Sequence, residues 1–169
     1  GKTSLLHAVV ERLRAQGARV GGVTQPAVRR GEPREGYRLR DAASGEEIDF
    51  AERAGTRGFE FRDEGWSWAR ERLSRALESA DFVVLDELGR LEAEGQGHLT
   101  SVAIPAGRVL LAGVREDCAA AIAGRIGRFD ASLKAEASPA EIDRFVAALW
   151  LAVGQNAGPV PAPPLRRDR

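Results

Sequence analysis

Gly1-Lys2-Thr3-Ser4-Leu5 leads directly into a segment whose apolar residues recur at the spacing of one helix face, namely Leu6, Val9, Val10 and Leu13. We expect this helix to end near Gln16-Gly17, because glycine is common just past a helix C-terminus. The segment Ala18-Arg19-Val20-Gly21-Gly22-Val23-Thr24 follows, and its β-branched residues are typical of a short strand. A helix, a tight loop and a strand in this order predict half of a βαβ unit.

The second decisive stretch is Asp81-Phe82-Val83-Val84-Leu85-Asp86-Glu87, an apolar run that ends in two carboxylates. Such a run is typical of a strand buried on both faces in a mainly parallel sheet. Val109 to Val114 is another such run, and we expect a helix after it from about Asp117 to Ile126. These segments predict an α/β fold with helices on both faces of a sheet.

The segment between these two stretches has a different periodicity. Tyr37 to Arg40 and Glu47 to Phe50 alternate with period two on either side of a turn, which predicts an antiparallel hairpin. A further short strand is expected at Arg57 to Phe61, followed by a helix with apolar residues at Trp66, Ala69, Leu73 and Leu77. A strand near Phe129 to Leu133 and an amphipathic helix spanning Ile142 to Val153 complete the predicted three-layer core.

Composition limits the function. The 169 residues carry 25 basic and 25 acidic side chains, so bulk charge gives no reason to expect a nucleic-acid partner. The longest apolar run, Phe145 to Gly154, is about half of the roughly 20 residues that a membrane span needs. Cys118 is the single cysteine, which excludes an internal disulfide and favours a reducing compartment, the cytoplasm.

Gly1-Lys2-Thr3 at a helix start matches the end of the phosphate-binding loop G-x-x-x-x-G-K-[ST]. There, backbone N–H groups surround the phosphates, the lysine reaches the outer ones, and the hydroxyl ligates Mg²⁺. Asp86 at a strand end suits the Mg²⁺ shell, and the adjacent Glu87 suits orienting or deprotonating a water molecule. Lys2 alone could be an ordinary solvated charge and the carboxylates could simply face solvent, but their order along the chain favours a nucleotide site.

These motifs resemble those of the nucleoside-triphosphatase family first described from thermophiles, a group of P-loop NTPases. The matching segments are Gly1-Lys2-Thr3-Ser4-Leu5, Gly21-Gly22-Val23-Thr24, Val28-Arg29 leading to Arg34-Glu35-Gly36-Tyr37, and Asp86-Glu87-Leu88-Gly89-Arg90-Leu91-Glu92. Val114-Arg115 is similar to a further family feature. The resemblance covers roughly residues 1 to 133, with one departure at Ala27, where the family usually has an acidic residue.

The resemblance implies a three-layer P-loop fold, with a mainly parallel sheet and an inserted hairpin, that hydrolyses ATP or GTP to the diphosphate in a Mg²⁺-dependent reaction. Gly1, Lys2, Thr3 and Ser4 would bind the nucleotide, with Lys2 neutralising the transferring phosphoryl group and Ser4 touching an inner phosphate. Thr3 and Asp86 would hold the metal, Glu87 would activate water, and Arg115 would approach the terminal phosphate.

The family pattern also implies a first strand and the glycine-rich part of the loop, which we expect immediately before Gly1. We expect the NTPase domain to cover residues 1–154. Residues 155–169 contain Pro159, Pro161, Pro163 and Pro164 and are expected to form a disordered extension.

Two other functions remain open from the sequence. A GTP-binding adaptor of molybdopterin-dinucleotide biosynthesis starts with a similar order of motif, helix and strand, although Asp86-Glu87-Leu88-Gly89 favours the hydrolase. A non-catalytic interaction module is the alternative from another class. No residue set identifies the preferred base or a protein partner.

Some candidate residues have two interpretations. Trp66, Trp68 and Tyr37 could stack on a base, but tryptophans on an amphipathic helix more often belong to a core. The segment Glu92 to Gly97 is either a mobile loop near the nucleotide or a solvated turn.

Overall fold

The computed structural model describes residues 1–29, 35–55, 58–101, 108–127 and 129–156. In chain order the elements are α1 (Lys2–Ala15), β1 (Val20–Thr24), β2 (Ala27–Val28), β3 (Gly36–Asp41), β4 (Glu47–Ala54), β5 (Gly58–Phe61), α2 (Asp63–Ser79), β6 (Phe82–Leu88), α3 (Arg90–Ala93), β7 (Val109–Val114), α4 (Ala119–Ile126) and α5 (Pro139–Asn156). Short 3₁₀ turns occupy Gly97–Ser101 and Glu116–Cys118.

A single mixed sheet organises the chain, with strand order β5-β4-β3-β1-β6-β7 and β2 paired to β3. β1, β6 and β7 are parallel, whereas β3, β4 and β5 extend the sheet from β1 in antiparallel fashion. The predicted α/β fold is therefore confirmed. The antiparallel part is larger than expected, because the hairpin and the strand after it join the main sheet through the pairing of β1 with β3.

Helices cover both faces of this sheet, which makes three layers. On one face α1 and α5 pack over β6 and β7, and the buried residues there are Val9, Val10, Leu13, Phe82, Val84, Leu111, Ile142, Val146 and Leu149. On the other face α2 packs over β1, β3, β4 and β6, and α4 adds Ile122 to the same core, whose other buried residues include Leu39, Phe50, Leu73, Val83 and Leu85. The consecutive apolar residues of β6 are thus buried alternately on the two faces, as predicted from their unbroken run.

Close packing of α2 on the sheet depends on a small residue in β1. A Cβ placed on Gly21 would lie 2.9 Å from Cβ of Ala76, so a larger residue would push the helix away. This contact explains why the first residue of the Gly21-Gly22 pair in the sequence motif is a glycine.

Two details differ from the sequence predictions. Phe129 to Leu133 contains no strand among its described residues, so this prediction was wrong; Leu133 packs against the α1 and α5 side of the core instead. The helix expected from Asp117 begins at Ala119, because a 3₁₀ turn at Glu116–Cys118 precedes it. Arg34, Arg57 and the tail residues 157–169 lie outside the described residues.

Within the described ranges, no helix combines the length and apolar character that a membrane crossing requires.

Candidate active site

The connection between α1 and β1 brings the two predicted motifs together. A tight loop joins the C-terminus of α1 to the start of β1, and β6 runs parallel to β1. The N-terminus of α1 and the carboxyl end of β6 therefore lie at the same edge of the sheet. The Nζ atom of Lys2 lies 3.2 Å from Oε1 of Glu87, with both side chains partly exposed.

The first turn of α1 offers an anion site. Gly1 is the N-cap residue, no side chain caps the helix, and no acidic residue occurs in the first turn. The positive end of the helix dipole and the N–H groups of this turn are thus left without an anionic neighbour from the first turn itself. Lys2, Thr3 and Ser4 are exposed there, as a phosphate ligand would require.

Asp86 is the buried carboxylate of the site, with an exposed fraction of 1%. Neither carboxylate oxygen has a hydrogen-bond partner within the described part of the chain. Burial raises the pKa of Asp86 to about 6. The nearby Thr3 hydroxyl and the Lys2 ammonium oppose this rise in pKa, whereas the negative charge of Glu87 adds to it. A buried polar group without a partner is costly, which points to a missing cation or ligand at this position.

Gly113 makes the space for this carboxylate. It pairs with Asp86 across β6 and β7, and a Cβ on Gly113 would lie 2.2 Å from Oδ1 of Asp86. Gly113 is not among the site residues predicted from the sequence. Its signal was a glycine inside an apolar strand, which often marks the close approach of another group.

A bulge separates the two adjacent carboxylates. Asp86 pairs with Gly113 and Leu88 with Val114, so that Glu87 is the extra residue between them in β6. Bulges re-aim side chains next to active sites. Here Asp86 is buried against β7, whereas Glu87 is partly exposed beside Lys2.

Arg115 follows β7 at the same edge of the sheet. Its backbone N–H donates to the carbonyl of Leu88, and its side chain passes Gly89, where an added Cβ would lie 3.2 Å from Cδ of Arg115. The guanidinium donates from Nε and Nη2 to the two oxygens of Asp117, at 3.0 and 2.7 Å. This interaction lowers the pKa of Asp117 to about 2. Arg115 is thus beside the end of β6 but is paired with its neighbour.

Glu92 has a role that the sequence did not reveal. It is buried, and its carboxylate accepts hydrogen bonds from the backbone N–H groups of Gly89 at 2.9 Å and His98 at 3.0 Å. Gly97 has a positive φ of 68°, and a Cβ there would lie 2.0 Å from Oε1 of Glu92. The segment after β6 is therefore held around a buried carboxylate, which neither of its two interpretations, a mobile loop or a solvated turn, included.

The aromatic candidates fall into different environments. The Trp66 ring packs against Phe50 and His98, at centroid distances of 4.7 and 4.8 Å. Trp68 instead lies under the guanidinium of Arg72, 4.6 Å from its Cζ. Tyr37 packs edge-on against Phe59.

The donor set at the site fits Mg²⁺. No cluster of three or more histidine, cysteine or acidic side chains that could hold a metal occurs in the part of the chain that the structure describes. Mg²⁺ is commonly held by one or two protein oxygens, with water and substrate phosphates completing the shell. The Thr3 hydroxyl and the unpartnered oxygens of Asp86 provide such a set.

Helix, strand order and paired carboxylates together define an α/β protein of the P-loop type. Residues 1–129 match the sequence profile of a family described as NTPase, and the chain belongs to this family. The resemblance identified from the motifs is thereby confirmed.

Three relatives carry the name nucleoside-triphosphatase THEP1. The chain is 33% identical over 108 residues to that of Korarchaeum cryptofilum, covering 60% of this chain and 55% of the relative. It is 30% identical over 111 residues to that of Pyrococcus abyssi, covering 62% and 61%, and 36% identical over 101 residues to that of Thermococcus kodakarensis, covering 54% and 56%. The matched region thus spans between 55% and 61% of the length of these relatives.

The fold is also similar to a solved structure. The solution structure of a human cancer-related nucleoside triphosphatase aligns with a TM-score of 0.60 over 94% of each chain. At 20% sequence identity, this likeness supports the fold alone.

Proposed function

We propose that this protein is a Mg²⁺-dependent nucleoside triphosphatase that hydrolyses ATP or GTP to the diphosphate and phosphate. The observation that carries the proposal is the 3.2 Å approach of Lys2 to Glu87, directly beside the buried and unpartnered carboxylate of Asp86. This juxtaposition combines a cation, a metal-binding carboxylate and a base at the start of a helix.

The phosphates would be bound at the N-terminus of α1. Its backbone N–H groups and dipole favour an anion, and the exposed Lys2 ammonium would neutralise the transferring phosphoryl group. Ser4, in the same turn, would contact an inner phosphate. Binding of phosphate would also draw Lys2 away from Glu87, because a triphosphate carries more negative charge than one carboxylate.

The metal would be held by Thr3 and Asp86. When bound, Mg²⁺ would supply positive charge that stabilises the negative charge developing on the phosphates during transfer. Burial of Asp86 strengthens its interaction with a cation, because the surrounding dielectric is low.

Hydrolysis requires a water molecule opposite the scissile bond. Glu87 is the partly exposed carboxylate at this edge and would accept the proton of the attacking water, while the P–O bond to the diphosphate breaks. Arg115 would then stabilise the terminal phosphate after leaving Asp117, a change within the reach of an exposed side chain. Water supplies the hydroxyl group of the released phosphate.

We also propose that residues 1–154 form the catalytic domain. For the compartment, we propose the cytoplasm: the one cysteine, Cys118, is a buried free thiol, as expected in a reducing environment.

The test is release of phosphate by the full-length gene product and two variants. Lys2→Ala should lower turnover at least about a hundredfold, because removing a charge that stabilises the transition state costs several kcal/mol. The matched control is Lys134→Ala, at the other lysine of the chain, which is exposed and lies outside the site. Turnover by Lys2→Ala within threefold of the wild type would contradict the proposal.

The same assay separates the adaptor alternative. A GTP-binding adaptor would bind the nucleotide tightly by calorimetry but release no phosphate without a partner. The adaptor would be favoured if the wild-type protein binds nucleotide without releasing phosphate and Glu87→Gln changes neither result.

A further inference from the structure

A concave site lies at the N-terminal end of α2. It is a cavity of about 450 Å³ between the first turns of α2 and the segment from α3 to the following 3₁₀ turn. This volume is within the range of about 300–1,000 Å³ typical of small-molecule sites. The proposed mechanism uses none of its lining residues.

Three aromatic rings line the cavity. Trp66 lies 5.5 Å from Phe61 and 4.8 Å from His98 by ring centroids, with tilts of 39° and 56°. The ring faces are therefore not stacked on one another in parallel. Aromatic side chains in such a pocket favour a flat, aromatic ligand that can stack on them.

His98 adds an unused polar atom to the aromatic wall. The residue is 3% exposed, and its Nε2 has no hydrogen-bond partner within the described ranges. Burial lowers the pKa of His98 to about 4, so the ring is neutral at physiological pH and can donate or accept one hydrogen bond at each nitrogen.

The rim is polar on the side that opens to solvent. Asp63, Ser67, Arg70 and Gln96 line it, and all four are exposed. Arg70 donates from Nη2 to Oγ of Ser67 at 3.0 Å, which places a cationic donor at the rim. The rim thus offers a carboxylate acceptor, a guanidinium donor and an amide that does both, which suits the alternating donors and acceptors of a heterocyclic edge.

The cavity is connected to the catalytic edge through Glu92. His98 on the cavity wall and Gly89 at the end of β6 donate to the two oxygens of this one buried carboxylate. Gly89 in turn lies two residues after Glu87. A ligand in the cavity would therefore contact the segment that is hydrogen-bonded, through Glu92, to the end of the strand that carries Glu87.

We propose that this cavity is a nucleobase-binding site. The base belongs either to the triphosphate whose phosphates occupy the N-terminus of α1, in which case the inference rests on the proposed function, or to a separate nucleoside. The shared chemistry is a planar heterocycle that stacks on Trp66 and uses the polar rim.

Calorimetry with adenosine and guanosine on the full chain tests the site without any need for hydrolysis. Ser67→Phe fills the mouth from an exposed position, so the fold should be preserved, and Trp66→Leu removes the stacking wall. The matched control is Trp68→Leu, on the same helix but outside the cavity lining. We expect the nucleoside Kd to rise at least tenfold in Ser67→Phe and Trp66→Leu and to stay within twofold in the control.

The source of the base is resolved by kinetics. If the base belongs to the triphosphate, Ser67→Phe raises KM for ATP or GTP at least tenfold and leaves hydrolysis of inorganic tripolyphosphate unchanged. Nucleosides then also compete with the triphosphate for binding. If it belongs to a separate nucleoside, KM stays the same and nucleoside binding persists at saturating triphosphate.

Two results would overturn the inference, both with an unchanged KM for the triphosphate. In the first, the wild type and Ser67→Phe bind nucleosides with equal affinity; in the second, the wild type binds no nucleoside. If Lys2→Ala retains full turnover while nucleoside binding still depends on Ser67, the proposed function fails and the cavity assignment stands.

Discussion

Because Asp86 is buried, we expect its ionised carboxylate to destabilise the metal-free protein at neutral pH, relative to a variant with an uncharged side chain at this position. Its pKa is raised from 3.8 to about 6, so the folded state holds the proton more tightly than the unfolded chain does. The stability that this proton provides is complete below pH 4 and is lost as the pH rises through 6. A shift of about two units, at about 1.4 kcal/mol each, corresponds to a loss of about 3 kcal/mol.

Asp86→Asn removes the ionisation and keeps the shape of the side chain. The assay is urea unfolding of wild type and variant in EDTA at a series of pH values between 4 and 8. We expect the difference in unfolding free energy, variant minus wild type, to become more positive by about 2.5 kcal/mol across this range, with most of the change between pH 4 and 6. Comparing the two proteins at each pH cancels the titration of all other groups that they share.

A difference in stability that is constant with pH would refute this reasoning, because it would mean that Asp86 is ionised at no cost in the fold. The burial of Asp86 would then give no reason to expect a cation at its oxygens. If the variant instead became less stable relative to the wild type as the pH rises, Asp86 would have an unrecognised cationic partner that lowers its pKa.

Other predictions concern activity and local structure. Glu87→Gln should keep nucleotide binding by calorimetry and lower kcat by roughly 10²–10⁴, the range for a lost general base; full turnover would remove Glu87 from the mechanism. Asp86→Asn should raise the Mg²⁺ concentration for half-maximal phosphate release, and an unchanged magnesium titration would exclude it as a ligand. Gly113→Ala places a methyl group where Asp86 lies, so it should cost about 1–3 kcal/mol in urea unfolding and weaken the Mg²⁺ response, unlike the control Gly124→Ala, whose Cβ meets nothing within 4 Å. Glu92→Ala leaves the N–H groups of Gly89 and His98 without their acceptor and should cost about 3 kcal/mol; hydrogen exchange at these two amides no faster than in the wild type would contradict this role.

Several parts of the fold could be predicted from the sequence because they depend on local periodicity. The helix at Lys2–Ala15 and the buried strand at Phe82–Leu88 follow from apolar spacing, which records how many faces of an element are covered. The meeting of Lys2 with Glu87 also followed, since a helix that precedes a strand begins at the edge where parallel strands end. For these residues, short-range pattern and chain order contain the necessary information.

The remaining features arise only in the tertiary structure. Nothing in the pair Asp86-Glu87 indicates that the first carboxylate is buried and the second faces Lys2; a shift in register against β7 separates them. Gly113 acquires its role because it pairs with Asp86 from a strand more than twenty residues away, and Glu92 because the chain folds back to bring His98 onto its carboxylate. Periodicity specifies which face of an element is covered, whereas the partner on that face is set by strand order and register, and these are decided by packing of the whole sheet.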